Sequence, residues 1–301
     1  MADGGEGILE ALGGRIRRSP VEGPLGERVV AEWRLEDRTA VVEMARASGL
    51  ALAGGPRHND PVAATTVGTG QLIDAAIAAG ARRVVVGVGG SATTDGGLGA
   101  LRALEPHPRL AKIDLVVACD VTTTFVDAAE EFAPQKGASS SQVALLRRRL
   151  ERLAQLFDQQ YGVDVRQMPG SGAAGGLAGG LAVVGAALVP GFELVAESVG
   201  LAEEISRADL VVTGEGFLDE QSFRGKVVGG VAALSAEAGV PVLAVVGDMV
   251  GSDLEALGAD SGQDLSVVSL IERHGRERAL GQTLECVEEE VARHLQALRR
   301  V

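Results

Sequence analysis

The feature that most constrains this chain is a set of short apolar runs, each ending in a polar, glycine-rich loop. Residues 83–88 read Arg-Val-Val-Val-Gly-Val and lead directly into Gly89-Gly90-Ser91-Ala92-Thr93-Thr94-Asp95-Gly96-Gly97. A second run, 113–119, ends at Asp120, and a third, 208–213, ends at Gly214-Glu215-Gly216. Strands with little polar alternation are those covered on both faces, and helical spacing between them predicts an α/β fold with a parallel sheet.

The pattern predicts strands at 29–35 and 39–44 joined as a hairpin by Glu36-Asp37-Arg38, a helix at 70–79 and another at 98–104. It further predicts an amphipathic helix at 142–161 with Leu145, Leu146, Leu150, Leu153 and Leu156 inward, and a short strand at 163–165. Beyond Pro190 it predicts helices at 194–205, 227–238, near Asp253 and 278–299, and strands at 208–213, 240–246 and 265–270. The pattern changes near Arg38 and Pro190. They suggest two domains, one formed by 1–38 with 191–301 and one by 39–190.

Composition narrows the function classes. A net charge of −13 disfavours nucleic acid and anionic membrane surfaces as partners. Glycine reaches 42 residues while aromatics are 3% of the 301, which suits tight turns and close backbone approach to ligands. Cys119 and Cys286 are far apart with no CxxC spacing, so a reducing, cytoplasmic setting is expected and structural zinc is not. The start, Met1-Ala2-Asp3-Gly4-Gly5-Glu6, has no secretory pattern, and the uncharged stretch 172–189 is expected to be a buried helix rather than a membrane span.

Chemistry concentrates in three loops. In 87–97, glycines allow backbone amides to converge on an anion, Ser91 and Thr93 add hydroxyls, and Asp95 is either a Mg2+ ligand or base or simply a helix cap. In 214–226, Glu215, Asp219, Ser222 and Lys226 stand together after a strand, a set suited to phosphoryl transfer. In 169–176, Gly170, Gly172 and Gly175 match GxGxxG, but a dinucleotide fingerprint also needs a strong strand before it and an acidic residue ending the next strand. Glu193 follows Pro190 at a helix start, so an NAD-dependent oxidoreductase is the weaker reading.

Taken in order, the blocks MADGGEG (from Met1), EMARASGL (Glu43), VGVGGSATTDGG (Val86), VACDVT (Val117), APQKGA (Ala133), PGSGAAGG (Pro169) and ADLVVTGEGFLDEQSFRGK (Ala208) resemble the glycerate kinase type 1 family over nearly the whole chain. The resemblance implies a flavodoxin-like parallel-sheet domain with a second α/β domain inserted into it, and ATP, Mg2+ and glycerate as ligands. By position Asp3, Ser91, Asp95, Asp120, Lys136, Glu215, Asp219 and Lys226 correspond to polar positions in the family's motif blocks, and the loop chemistry, which supplies the roles, adds Gly89, Gly90, Gly172 and Ser222. Asp95, Asp219 and Lys226 are the expected catalytic residues, with Asp95 and Asp219 as metal ligands and the rest binding substrate or nucleotide.

The chain departs from the family pattern in four places. Members open with a further strand and a Ser/Lys-bearing loop ahead of MADGGEG. They carry a longer glycine-rich insertion after Leu104, Asn-Pro-Leu where this chain has Thr123-Thr124-Phe125, and Asn at Thr94. The expected activity is therefore ATP-dependent phosphorylation of glycerate to 2-phosphoglycerate. The alternative is a noncatalytic or altered-specificity homologue that binds a nucleotide or small hydroxy acid. Homodimerisation is left open.

Overall fold

The protein was analysed as a computed structural model, which describes residues 5, 7–219, 222, 227–249 and 264–298. It gathers into two compact units, residues 1–195 and 196–301.

The first unit is built on a six-stranded sheet in sequence order: β1 (Arg15–Glu22), β2 (Arg28–Glu36), β3 (Thr39–Glu43), β4 (Arg83–Gly87), β5 (Asp114–Ala118) and β6 (Ala187–Val189). Strands β1 to β3 are antiparallel, whereas β3 to β6 run parallel. The turn at Asp37 and Arg38, where the sequence pattern changes, lies inside this sheet as the β2–β3 hairpin, and both residues take positive φ.

The period of two in β3, β4 and β5 divides their side chains between two cores. Ala40, Val42, Val84, Val86, Leu115 and Val117 pack on one face against helices Val67–Ala78 and Ala173–Ala182. Val41, Val85, Val116 and Ala118 pack on the other against Ile8 and Leu9 of helix Ile8–Leu12 and against Leu194 and Val195. Each such burial is worth about 1.5–3 kcal/mol, which holds the strand ends in fixed register. A third cluster joins Phe125 to Leu146, Leu150, Ala154 and Phe157 of helix Ser140–Tyr161. That helix starts with a reciprocal capping box between Ser139 and Gln142 and stops at Gly162 in the left-handed region.

In the second unit, β7 (Val211–Thr213), β9 (Val242–Val246) and β11 (Leu265–Ser269) form a parallel sheet in the order β11-β9-β7. β8 (Phe217–Leu218) pairs in parallel with β10 (Asp248–Met249) beyond their ends.

Several expectations are corrected. Strand β1 was not anticipated, because its Arg-rich sequence is mostly exposed. Residues 163–165 are irregular, although Val165 is buried. The stretch 172–189 splits into helix Ala173–Ala182 and strand β6, and 194–205 into Gly191–Ser198 and Leu201–Ser206, separated by Gly200 at φ 65°. The terminal helix is two, Arg276–Gly281 and Thr283–Leu298. The helix expected near Asp253 lies outside the described residues. Among the described residues, no helix is long and apolar enough to cross a membrane.

Candidate functional site

A cleft of about 430 Å³ opens at the carboxyl ends of β4 and β5 in the first unit. Ligands of parallel α/β sheets gather at that end, where the chain leaves each strand and loops over the sheet. The walls come from six separate stretches of sequence: Gly5, Leu50, Val88 to Ser91, Ala118 to Val121, Phe132 with Gln135 and Lys136, and Ala173 with Ala174. Each belongs to, or directly adjoins, a different one of the family blocks. The seventh block, 208–226, is in the second unit.

Local bonding explains how the walls hold their shape. Gly90 takes φ 67°, and the loop that follows β4 is pinned as a strand-like bridge, with Leu50 N donating to Gly90 O (2.8 Å) and Ala92 N to Ser48 O (3.0 Å). Glu43, at the end of β3, is buried and its carboxylate accepts from Gly7 N (2.9 Å), Leu9 N (3.2 Å) and Arg46 Nε (2.9 Å). It thereby fastens the amino-terminal block to the sheet beside the cleft. At the end of β5, Asp120 Oδ1 accepts from Gly191 N (2.8 Å) at the start of helix Gly191–Ser198, which fixes the carboxylate at the cleft wall.

Lys136 is the site's cation. It is 3% exposed, donates from Nζ to the Thr93 carbonyl (2.7 Å), and sits 6.0 Å from the centre of the Phe132 ring. Burial pushes its ammonium down to about 7, against a smaller opposing pull from Asp95. In a cleft lined by glycine backbone, such a group responds to an arriving anion by taking up a proton and holding it. Asn59 braces the same corner, donating from Nδ2 to Ala92 O (3.0 Å) and Lys136 O (2.9 Å). Its neighbours differ: His58 is exposed, and Asp60 caps the turn at Val62 and Ala63.

Asp95 stands behind this wall. Its two carboxylate oxygens accept from Thr66 N (2.9 Å), Thr66 Oγ1 (2.9 Å), Gly97 N (3.1 Å) and Gly99 N (3.2 Å). This is the geometry of a cap serving two helix starts, Val67–Ala78 and Leu98–Ala103, of the kind weighed against metal binding in the sequence. With its lone pairs so engaged, Asp95 does not fit a Mg2+ ligand. Among the described residues, no three His, Cys, Asp or Glu side chains converge as a metal site.

Of the other expected residues, Gly89, Gly90, Ser91 and Asp120 line the cleft. Gly172 does not: a Cβ there would meet Thr124 O at 2.4 Å, so close packing accounts for it. The GxGxxG spacing has a similar origin, since no strand precedes it and a Cβ on Gly175 would meet Thr93 O at 2.0 Å. In the second unit, Asp219 Oδ1 accepts from Ser222 N (3.0 Å) while Asp219 N donates to Ser222 Oγ (3.1 Å), closing a tight loop after β8. Glu215 lies in the loop after β7, where its carbonyl accepts from Gly247 N (3.0 Å). Asp3 and Lys226 lie outside the described residues. Glu43 opens one of the motif blocks, and Asn59 lies in none of them. Their partners lie 36 and 77 residues away in sequence, so no local signal marks them.

The arrangement was compared with known proteins. The model of the glycerate kinase family matches residues 1–107 and 105–299. The chain belongs to the glycerate kinase family. It is 40% identical over 295 residues to the glycerate kinase of Halalkalibacterium halodurans, covering 85% of this chain and 77% of that one. It is 39% identical to the glycerate 2-kinase of Escherichia coli K12, over 83% and 75%. A crystal structure from Salmonella typhimurium LT2, provisionally named glycerate kinase 2, superposes with a TM-score of 0.76 at 33% identity, covering all of this chain and 89% of that one. The two family matches overlap at 105–107, in the short connection that follows helix Leu98–Ala103.

Proposed function

We propose that this glycerate kinase family member transfers the γ-phosphoryl group of ATP to glycerate, giving ADP and 2-phosphoglycerate, with Mg2+ entering as the nucleotide complex. The observation that carries this reading is the convergence of six motif blocks on one cleft that holds a single buried lysine among glycines. Glycerate is a small hydroxy acid whose carboxylate matches a cation in a largely apolar wall.

Phosphoryl transfer through a loose transition state asks a protein mainly to position reactants and spread negative charge. Lys136 supplies positive charge where water is excluded, and Gly89 to Ser91 supply close backbone approach and a hydroxyl. Asp120, fixed by its bond from Gly191 N, orients a substrate hydroxyl. Asp95 is a positioning residue that fixes the Thr93–Gly97 segment and through it Lys136. Glu215, Asp219, Ser222, Lys226 and Asp3 are proposed to serve the nucleotide and its metal.

The test is release of ADP coupled to a reporter enzyme, with ATP, Mg2+ and D-glycerate. Turnover that requires glycerate is expected, with kcat/KM reduced about 10²–10³-fold in Lys136→Met, the usual loss for one strong electrostatic contact. Bound ATP with no glycerate-dependent turnover would overturn the reading and favour a homologue that binds without catalysis.

A further inference from the structure

A second cavity, of about 450 Å³, lies in the first unit and shares no lining residue with the Lys136 cleft. Its floor is apolar, made by Leu98 and by Leu150, Leu153 and Leu156 of helix Ser140–Tyr161. Its rim carries Arg148, Arg149 and Arg152 from the same helix.

The partners of these arginines separate them from their neighbours. Arg147, on the adjoining face, pairs with Asp127, Glu130 and Glu151 at 3.0–3.6 Å. Arg149 uses one nitrogen to bond the Val62 carbonyl (2.9 Å), which closes the cavity's other wall. Arg148 and Arg152 have no carboxylate or hydrogen-bond partner among the described residues. In a chain of net charge −13, two unpaired guanidinium groups over one apolar hollow form a local field opposite to that of the whole molecule. The wall also contains Asp95, whose carboxylate is taken up by donors from Thr66, Gly97 and Gly99, and Thr94, 1% exposed, whose hydroxyl has no hydrogen-bond partner among the described residues. Buried polar groups left this way are uncommon, and they concentrate where a ligand or ordered water completes them.

We propose that this cavity binds a small organic anion: an apolar body of about phenyl size resting on Leu98, Leu153 and Leu156, with a phosphate or carboxylate held by Arg148 and Arg152. A guanidinium matches either anion through paired N–H donors, so the shared chemistry is a planar-accessible oxyanion on an apolar group. The site is separate from the Lys136 cleft and does not depend on the reaction performed there.

Phenyl phosphate is the probe, titrated calorimetrically into the whole protein, with inorganic phosphate and phenol as its two halves. Saturable binding is expected, about tenfold tighter than inorganic phosphate, since the ring adds apolar burial. Binding should weaken about tenfold or more in R148Q/R152Q and be retained in K136M. No binding to the wild type, equal binding to R148Q/R152Q, or loss in K136M would each overturn the proposal, the last placing the anion in the other cleft. Amide shifts in ¹⁵N-labelled wild type locate the ligand without any substitution. Movement at Thr94, Leu98 and Leu153 supports the site, whereas movement confined to Gly89–Ser91 refutes it.

Discussion

At the scale of single residues, Lys136 ties stability to function. Its ammonium is held near 7 in the folded protein, whereas an unfolded lysine titrates at about 10.5. Between those values the unfolded chain binds more protons, so this group makes stability rise with pH across the window and lowest below pH 7. Lys136→Met removes the buried charge and that slope. The expected result is an unfolding free energy from urea titration at pH 6.5 equal to or above the wild type's, by up to about 4 kcal/mol, with the gap narrowing toward pH 10. A variant less stable than wild type at both pH values would show that the bond to Thr93 outweighs the charge. Lys136 was legible in the sequence as an anion partner because it sits in a family block. Its burial was not, since the chain that covers it, Asn59 and Phe132 with the 93–95 segment, is assembled only by the fold. Asp95 shows the converse: a carboxylate in a glycine loop reads equally as ligand or cap, and only the four donors around it separate the two.

At the scale of elements, the passage of helix Ala173–Ala182 over the 93–97 segment is the tightest feature near the cleft. Ala174, Gly175 and Gly176 take φ of 53°, 66° and 90° before the helix becomes regular. Gly175 lies against the very carbonyl that accepts from Lys136. Gly175→Ala should cost about 1–3 kcal/mol in backbone strain and about 1–3 kcal/mol more in overpacking. Because the Thr93 carbonyl must move, the variant's cleft should also lose its normal affinity for anions. A thermal melt and a glycerate titration check the two halves, and an unchanged melt would refute the packing argument. The sequence marked these glycines as a GxGxxG match, a weak dinucleotide signal, because close approach to a ligand and close approach to another backbone leave the same residue. Strands β3, β4 and β5 were readable because both faces are buried, which writes an unbroken apolar run. Strand β1 was not, because its pairing with β2 needs no apolar pattern on its exposed face.

At the scale of the whole molecule, the two units carry unequal cores. The first holds the two-sided sheet and the large clusters around it, while the described buried clusters of the second are small, centred on Leu218, Val228, Ala244 and Val246 and on Leu243, Val245 and Leu270. Domains with separate cores unfold as separate units. Trp33 is the chain's single tryptophan and is buried in the first unit, so its fluorescence reports that unit alone, whereas circular dichroism reports both. The expected urea curve by fluorescence lies at higher denaturant than the curve by circular dichroism. Superimposed curves would mean that one cooperative transition spans the chain. The family and its α/β class were readable from ordered blocks, whereas the pattern change at Arg38 marks only the β2–β3 hairpin.

The six-stranded sheet has two free margins, and they are guarded differently. One is β6, only three residues long. The other is β1, which presents exposed Arg15, Arg17 and Arg18 and, at Pro20, a residue with no N–H to offer. A foreign strand adding to that margin would have to bring guanidinium groups against itself and lose a rung of its ladder. The β1 margin is therefore a poor template for strand addition of the kind that builds fibrils.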